Sequence, residues 1–441
     1  ILNSIIKKGR HNMKAAVIGL GVEGKKASKS LLDHGWRIYA TDLEIDIDLE
    51  ELQIPVSEAH IFTAKEKITI SSSKAIIDLG HDDNIEIDNS DAVVLSPSLW
   101  KSEIAKKITK SGKLISDVLT NHKKIFTIGI TGTNGKTTTS LMLKEILENT
   151  NKKVLIGGNA GGGFGGYCDL ILEAENNDYD VLIIEVCDMT LDFCNYTFDF
   201  DLIGLTNIGN DHINVHGSIE NYKNSLKAFA KNKTIFIDEN QDYFDEFEDN
   251  DNKISFSESD FDLKLSGNFN KLNAGLATTI AKKLNIDNDI IKNTLENFEP
   301  VEGRLKVFNL NDSKVYIGKS DNTDAVKSIL GEEDFFATFI GTPRSNERHR
   351  FEILDVVSEY NPKVIVLFPG LENTIDHAVY KLNYIGYEGK IEIANSLDDI
   401  IELLAEYSHE NAIFIGGNGQ ETIIEIQNRV ELLSKSCESK S

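Results

Sequence analysis

The segment from Ile125 to Thr139, IFTIGITGTNGKTTT, constrains this chain more than any other. Its apolar half, with Ile125, Ile128 and Ile130, suits a buried parallel strand. It breaks through Gly132 and Gly135 into TTSLMLKEIL, which has helical spacing. A strand that turns on glycines into a helix aims backbone N–H groups and the positive end of a helix dipole at one point, and such a point binds phosphate. Lys136 adds a compact positive charge there, and the Thr137 hydroxyl suits a Mg2+ ligand. The common spacing G-x-x-x-x-G-K-[ST] is not met, because Ile130 stands where its first glycine would be.

A chain of 441 residues calls for about two to four domains, each with its own core. The net charge of -25 argues against a general nucleic-acid binder or an anionic-membrane binder, because no broad basic surface is left to replace phosphate counterions. A nucleotide must then be held by local backbone and a few cations. The four cysteines, Cys168, Cys187, Cys194 and Cys437, lack C-x-x-C spacing and are expected to be reduced thiols. No apolar run approaches the roughly 20 residues of a membrane helix, and no signal peptide is expected before the first strand. A cytoplasmic protein without a membrane partner is the expectation. The twelve residues ILNSIIKKGRHN precede the first strand, which opens at Met13.

Strand and helix patterns alternate along the chain, which indicates α/β architecture with mostly parallel sheets. Residues 13–120, from KAAVIGLG through WRIYATD and AVVLSPS, read as a Rossmann-like domain. Residues 121–303 read as a central phosphate-loop domain with strands KKVLIGG, DVLIIEV, DLIGLTNI and KTIFIDE. Residues 304–441 read as a second Rossmann-like domain with VYIG, FFATFIG, KVIVLFPG, KIEIAN and AIFIGGNG. Pro300 and Gly303 mark the last boundary. The acidic DENQDYFDEFEDNDN is expected to be a solvated loop, and LLSKSCESKS a fraying helix and tail.

Gly19, Gly21 and Gly24 form GLGVEG after the first strand, and Asp42 follows the second, so a diphosphate site and a simple strand–helix packing turn are both open readings. In the central domain Glu185 closes DVLIIEV, and Asp211 and His212 follow DLIGLTNIGN. Parallel sheets bring such strand ends to one rim, where carboxylate and imidazole beside a phosphate loop suit Mg2+ ions between ATP and a second substrate. Taken singly, Glu185 serves equally as a cap or ion-pair partner. His212 alone would read as a satisfied polar histidine.

The run TGTNGKTT, then GGN at 157–159, then TNIGNDHINVHGSIENY from Thr206 to Tyr222, resembles the Mur ligase family. SGNFNKLNAGLA and EGRLKVF are similar to that family's adenine-side and linker motifs. The N-terminal GLGVEG and LSPS look most like the MurD branch, and EGRLKVF looks closer to the MurE branch. This mixture, in an Asn/Asp/Lys/Ile-rich composition, is similar to the archaeal Mur-like ligases proposed to build pseudomurein peptides. The resemblance implies an ATP-dependent ligase that joins a UDP-linked carboxylate to an amino acid through an acyl phosphate, in a monomer of three domains. By the same resemblance Gly132, Thr133, Asn134, Gly135, Lys136, Thr137 and Thr138 hold the phosphates, and Asn270 and Asn273 contact adenine. Thr137 and Glu185 hold one Mg2+, and His212 holds a second metal. Arg304 reaches the γ-phosphate on domain closure. Gly21, Asp42, Ser96, Asn159 and Lys319 are the candidate substrate contacts. Lys136, His212 and Arg304 carry the chemistry.

Several positions depart from the family pattern. Leu226 stands where Mur ligases commonly carry a carbamylated lysine, and Lys227 lies about 100° further round a helix. Either Lys223 or Lys227 is repurposed, or the second metal site is weaker, or monovalent cations fill its place; Leu226→Lys is expected to leave activity. Gly318 replaces a family aspartate in VYIGKSDNTDAV, leaving Lys319, Asp321 and Asn322 as candidates. Asn418 and Gln420 replace lysine and histidine in IGGNGQE, which ends at Glu421. His216 is expected to cap or hydrogen-bond locally. Arg344, Arg348 and Arg350 read either as a solvated loop or as a fork for substrate carboxylates. Three other readings stay open. A folylpolyglutamate-synthetase-like ligase is weighed against by the first domain. A nucleotide-binding protein without turnover is motivated by the departures. An oxidoreductase rests on GLGVEG alone.

Overall fold

Three six-stranded sheets follow one another along the chain in a computed structural model that describes residues 13–52, 60–64, 67–159, 163–209, 216–247 and 252–438. The first holds β1 (Lys14–Ile18), β2 (Arg37–Asp42), β3 (His60–Ala64), β4 (Lys67–Ser71), β5 (Ala75–Leu79) and β6 (Ala92–Leu95), in the order β3-β4-β5-β2-β1-β6. Its strands β5, β2, β1 and β6 are parallel, while β3 and β4 add an antiparallel hairpin at one edge. The second holds β7 (Phe126–Thr131), β8 (Val154–Gly157), β9 (Val181–Glu185), β10 (Leu202–Leu205), β11 (Thr234–Asp238) and β12 (Lys253–Phe256), all parallel, in the order β12-β11-β10-β7-β9-β8. The third holds β13 (Lys306–Leu310), β14 (Ser313–Ile317), β15 (Phe335–Gly341), β16 (Val364–Phe368), β17 (Lys390–Ile393) and β18 (Ala412–Gly417), in the order β13-β14-β18-β15-β16-β17. There only β13 is antiparallel to its neighbour.

The parallel strands are continuous apolar runs because helices cover both faces of each sheet. VLIIE of β9 is buried throughout. On one face of the central sheet the helix Lys136–Glu148 buries Met142, Leu143, Ile146 and Leu147 against Ala274, Ala277, Ile280 and Ala281 of the helix Asn268–Lys283. In each sheet the strand order reverses beside one strand, at β1, β7 and β15, and the crevice outside the carboxyl ends at such a point is where open α/β sheets bind ligands.

The joints between domains differ in chemistry. One apolar cluster runs from Ala27 and Leu31 of the first domain through Tyr167, Cys168 and Ile171 into the central sheet, and Trp100 meets Phe193 edge-on at 5.3 Å. The third domain has separate cores, and Phe269 of the central domain packs, partly buried, against one of them. Its bridges to the phosphate loop are polar. No helix of the described residues is long and apolar enough to cross a membrane, and Cys168, Cys187 and Cys194 are free thiols.

The acidic segment 238–252 is not simply a solvated loop. Tyr243 and Phe247 are buried, and Glu246 pairs with Lys223 at 2.6 Å and Lys227 at 3.0 Å. The final helix continues to Glu438.

His122 lies just ahead of β7, 1% exposed, with Nε2 donating to the Thr197 carbonyl at 2.9 Å and its ring edge-on to Phe198. Burial pushes its pKa down to about 4, against the opposing pull of the Thr197 hydrogen bond. A folded pKa below the unfolded value of about 6.5 means that the stabilisation is complete above that pH and is lost as pH falls toward 4. His122→Gln keeps a donor and removes the titration. Between pH 6.5 and 4 the wild-type melting temperature is therefore expected to fall more steeply than that of the variant, as read by circular dichroism.

Candidate functional site

The phosphate loop sits at the switch point of the central sheet, between the carboxyl ends of β7 and β10. Gly135 caps the helix Lys136–Glu148 at φ +85°, and a Cβ there would stand 2.1 Å from Asn273 Oδ1, so glycine is required on both counts. Asn207, after β10, shapes the loop with a pair of bonds: its Oδ1 accepts from Asn134 N–H and its Nδ2 donates to the Asn134 carbonyl, both at 3.0 Å. Thr133 Oγ1 accepts from Gly209 N–H at 2.8 Å. Lys136 folds back over the turn, donating Nζ to the carbonyls of Gly132 at 2.7 Å and Thr133 at 2.9 Å.

Glu185, at the end of β9, is 1% exposed. Its Oε2 accepts from the Thr137 hydroxyl at 2.8 Å and its Oε1 from Asn159 Nδ2 at 2.8 Å. Arg304, from the start of the third domain, donates Nη2 to Thr137 Oγ1 at 2.7 Å. Thr137, Glu185, Asn159 and Arg304, separated by up to 167 residues, thus form one hydrogen-bonded chain. The Thr137 hydroxyl and the Glu185 carboxylate are two hard oxygen donors in contact, a pair that fits Mg2+. Asp211 and His212 lie outside the described residues, and among those described no group of three His, Cys, Asp or Glu side chains assembles into a metal cluster.

Asn270 and Asn273 are buried beside the loop. Asn273 Nδ2 donates to Asn270 Oδ1 at 3.1 Å, and Asn270 Nδ2 to the Ser266 carbonyl at 2.7 Å. Thr138 is buried in the first turn of the loop's helix.

The first-domain candidates lie at or just beyond the carboxyl ends of β1, β2 and β6. Gly21 is the N-cap of the helix Val22–Asp33 and offers no capping side chain. Asp42 braces the glycine turn, accepting from Leu20 N–H at 2.6 Å and Glu44 N–H at 3.0 Å. Ser96 follows β6, with its Oγ 3.0 Å from that of Ser98. A Cβ on Gly24 would lie 1.8 Å from the Gly19 carbonyl oxygen, so close packing accounts for Gly24 by itself.

Lys319 approaches Asp321, with Nζ 3.4 Å from Oδ2, and Arg350 Nη1 is 2.8 Å from the same oxygen. Burial raises the Asp321 pKa, but Lys319, Arg350 and Arg304 together outweigh it and hold the carboxyl well below the usual carboxylate range. Of the three arginines in TPRSNERHR, Arg350 is committed to this cluster, while Arg344 and Arg348 are exposed. Asn322 meets the phosphate loop directly. Its Nδ2 donates to Asn134 Oδ1 at 3.0 Å, and Asn134 Nδ2 returns a bond to its Oδ1 at 3.2 Å.

One expectation changes. His216 is held by more than its own turn: Nε2 lies 3.1 Å from Asp188 Oδ2, and the ring stacks on Tyr222 at 4.6 Å. Asp188 carries no motif signal, and only the fold brings it to His216. Leu226 is 2% exposed in the apolar cluster, on the helix face that also buries Tyr222, Phe229 and Ala230, while Lys223 and Lys227 both turn to Glu246. Leu226 therefore has a packing role, and Leu226→Lys would place an ammonium in that apolar cluster. Leu226→Lys is expected to cost about 3 kcal/mol or more of stability, whereas volume-conserving Leu226→Met costs under about 1.5 kcal/mol, measured by urea unfolding.

Residues 130–287 match the sequence pattern of the Mur ligase middle domain. A UDP-N-acetylmuramoylalanine–D-glutamate ligase of Wolbachia pipientis wMel is 34% identical over 220 residues, an alignment that takes in 48% of this chain and 37% of that protein. The enzyme of the same name from Prochlorococcus marinus (strain MIT 9515) is 25% identical over 452 residues, covering 92% of this chain and 90% of its own length. Among solved structures, a pseudomurein peptide ligase type C from Methanothermus fervidus superposes with a TM-score of 0.58 at 19% identity, over 95% of this chain and 100% of that one.

Proposed function

We propose, from the Mur ligase middle-domain pattern of residues 130–287, that the protein is an ATP-dependent ligase joining the carboxylate of a UDP-linked cell-wall precursor to an amino acid. The observation that carries this reading is the hydrogen-bonded chain through Thr137, Glu185 and Arg304 at the phosphate loop, since it unites a metal-competent pair with a cation from another domain. ATP transfers its γ-phosphoryl group to the carboxylate, the amine attacks the acyl phosphate, and the products are an amide, ADP, phosphate and the amine's proton.

Lys136 leaves the Gly132 and Thr133 carbonyls to meet the β- and γ-phosphates, and the loop amides at 132–138 hold the chain in line. A Mg2+ ion held by Thr137 and Glu185 would neutralise charge on the phosphates. Arg304 supplies the same neutralisation from the third domain as the γ-phosphoryl group moves. Asn159, tethered to Glu185, faces the incoming carboxylate, and Asn270 and Asn273 receive the adenine. We assign the UDP-linked substrate to the first-domain crevice at Gly21, Asp42 and Ser96, and the amino acid to the third-domain side near Lys319. By the family resemblance, His212 would hold a second metal ion and complete the catalytic set. The protein works in the cytoplasm, where its thiols stay reduced.

A binding protein without turnover loses two of the three departures that motivate it. Leu226 has a packing role, and a Cβ on Gly318 would stand 2.7 Å from Leu305 Cα, so space alone excludes a side chain there. The complete first sheet weighs against a folylpolyglutamate-synthetase-like enzyme.

A phosphate-release screen of amino acids, D-glutamate included, against UDP-linked carboxylates with ATP and Mg2+ tests the proposal. Release is expected only when donor and amine are both present. Lys136→Ala is expected to lower the rate about 10²–10³-fold with little change in melting temperature. Near-normal turnover by that variant, or release indifferent to the donor, would refute the assignment.

A further inference from the structure

The linker that carries Arg304 is gripped from the third domain. Gln427, 1% exposed on the helix Gln420–Glu438, commits its whole carboxamide to backbone groups. Oε1 accepts from Gly303 N–H at 2.9 Å, and Nε2 donates to the Arg304 carbonyl at 2.7 Å and to the Ile317 carbonyl at 2.9 Å. Because Ile317 ends β14, one side chain ties the linker to the third sheet. Lys319 N–H adds a bond to the Gly303 carbonyl at 3.0 Å. Gly303 sits at φ +73°, and a Cβ there would lie 3.1 Å from Gln420 Cγ and 3.2 Å from Ile424 Cγ1. Gly318 lets Leu305 pass over it. The backbone of 303–305 is thus inlaid in the third domain.

Arg304 reaches outward from this anchored backbone to Thr137 Oγ1, while its own Nε is buried with no partner among the described residues. A long, rotamer-rich side chain delivers its charge to a fixed point only if its Cα is fixed. The third domain meets the phosphate loop through polar contacts such as the Asn134–Asn322 amide pair rather than a shared core. Joints of that kind open and close.

We propose that Gln427 is a positioning residue, which locks Gly303 and Arg304 into the third domain so that the Arg304 guanidinium reaches the phosphate loop only when that domain closes. The inference rests on the ligase reading of the Thr137–Glu185 site.

The test uses the full chain. Gln427→Met keeps length and volume while removing the acceptor and both donors; Gln427→Glu keeps only the acceptor for Gly303. Each is combined with Arg304→Ala. The readouts are ATP-dependent phosphate release with the donor–amine pair found in the screen, ATP binding by calorimetry, and melting temperature. Gln427→Met is expected to lower kcat about 10- to 100-fold and leave ATP affinity within about threefold. Adding Arg304→Ala to it is expected to cost under about fivefold more, far less than Arg304→Ala costs in the wild type, because the two act as one unit. A merely structural role would lower the melting temperature and multiply fully with Arg304→Ala. Normal kcat in Gln427→Met, or full multiplication, overturns the proposal, and Gln427→Glu decides by the same readouts should the Met variant not fold. If Arg304→Ala alone leaves turnover intact, the ligase reading of Arg304 fails and takes this proposal with it.

Discussion

A buried carboxylate organises this molecule. Glu185 lies at the end of a strand buried throughout and has no cation bonded to it among the described contacts; the Thr137 hydroxyl and the Asn159 amide satisfy its two oxygens. Leaving an ionised group in such a place is costly unless it is hydrogen-bonded or paired. The arrangement meets that demand while keeping the carboxylate beside the turn where backbone N–H groups and a helix dipole gather. Arg304 then bonds the far side of the same hydroxyl, so one threonine links the central sheet's buried acid to a cation from another domain. Charge complementarity at the phosphate loop therefore depends on where the third domain sits.

The two interdomain joints divide the labour. The first and central domains share apolar surface through Tyr167, Cys168, Ile171 and Trp100, which favours a fixed relation between them. The third domain touches the loop through Asn134–Asn322 and Arg304–Thr137, contacts that exchange readily with water and so cost little to part. On the proposed ligase reading, an acyl phosphate would have to be kept from water while it waits for an amine, and a third domain that closes over it with polar contacts would serve that need.

Much of the architecture was legible because parallel strands announce themselves as short apolar runs, as in VLIIE and FTIGIT, and because Gly132 and Gly135 punctuate the strand-to-helix turn. The edge strands were not. HIFTA is an exposed edge strand paired with KITIS, and KITIS is a half-buried strand whose place is set by its pairing with β5 rather than by its own periodicity. Within the site, loop chemistry and resemblance both mark Thr137, a strand-end position and resemblance mark Glu185, and resemblance alone marks Arg304; the structure brings the three into contact. Gln427 and Asp188 gave no signal, since one sits mid-helix and the other follows a strand as an ordinary polar residue, and their partners are 28 to 124 residues away. Leu226 shows the same limit: the motif marks it as a departure, and only the fold shows that its helix face packs in the core.

The most direct measurement is a crystal structure with a non-hydrolysable ATP analogue and Mg2+. The account predicts the triphosphate along the backbone amides of 132–137, the metal on Thr137 Oγ1 and Glu185, and Lys136 Nζ moved from the Gly132 and Thr133 carbonyls onto phosphate oxygens. A triphosphate bound away from this loop, or a bound one that leaves Lys136 folded on its own carbonyls, would contradict it.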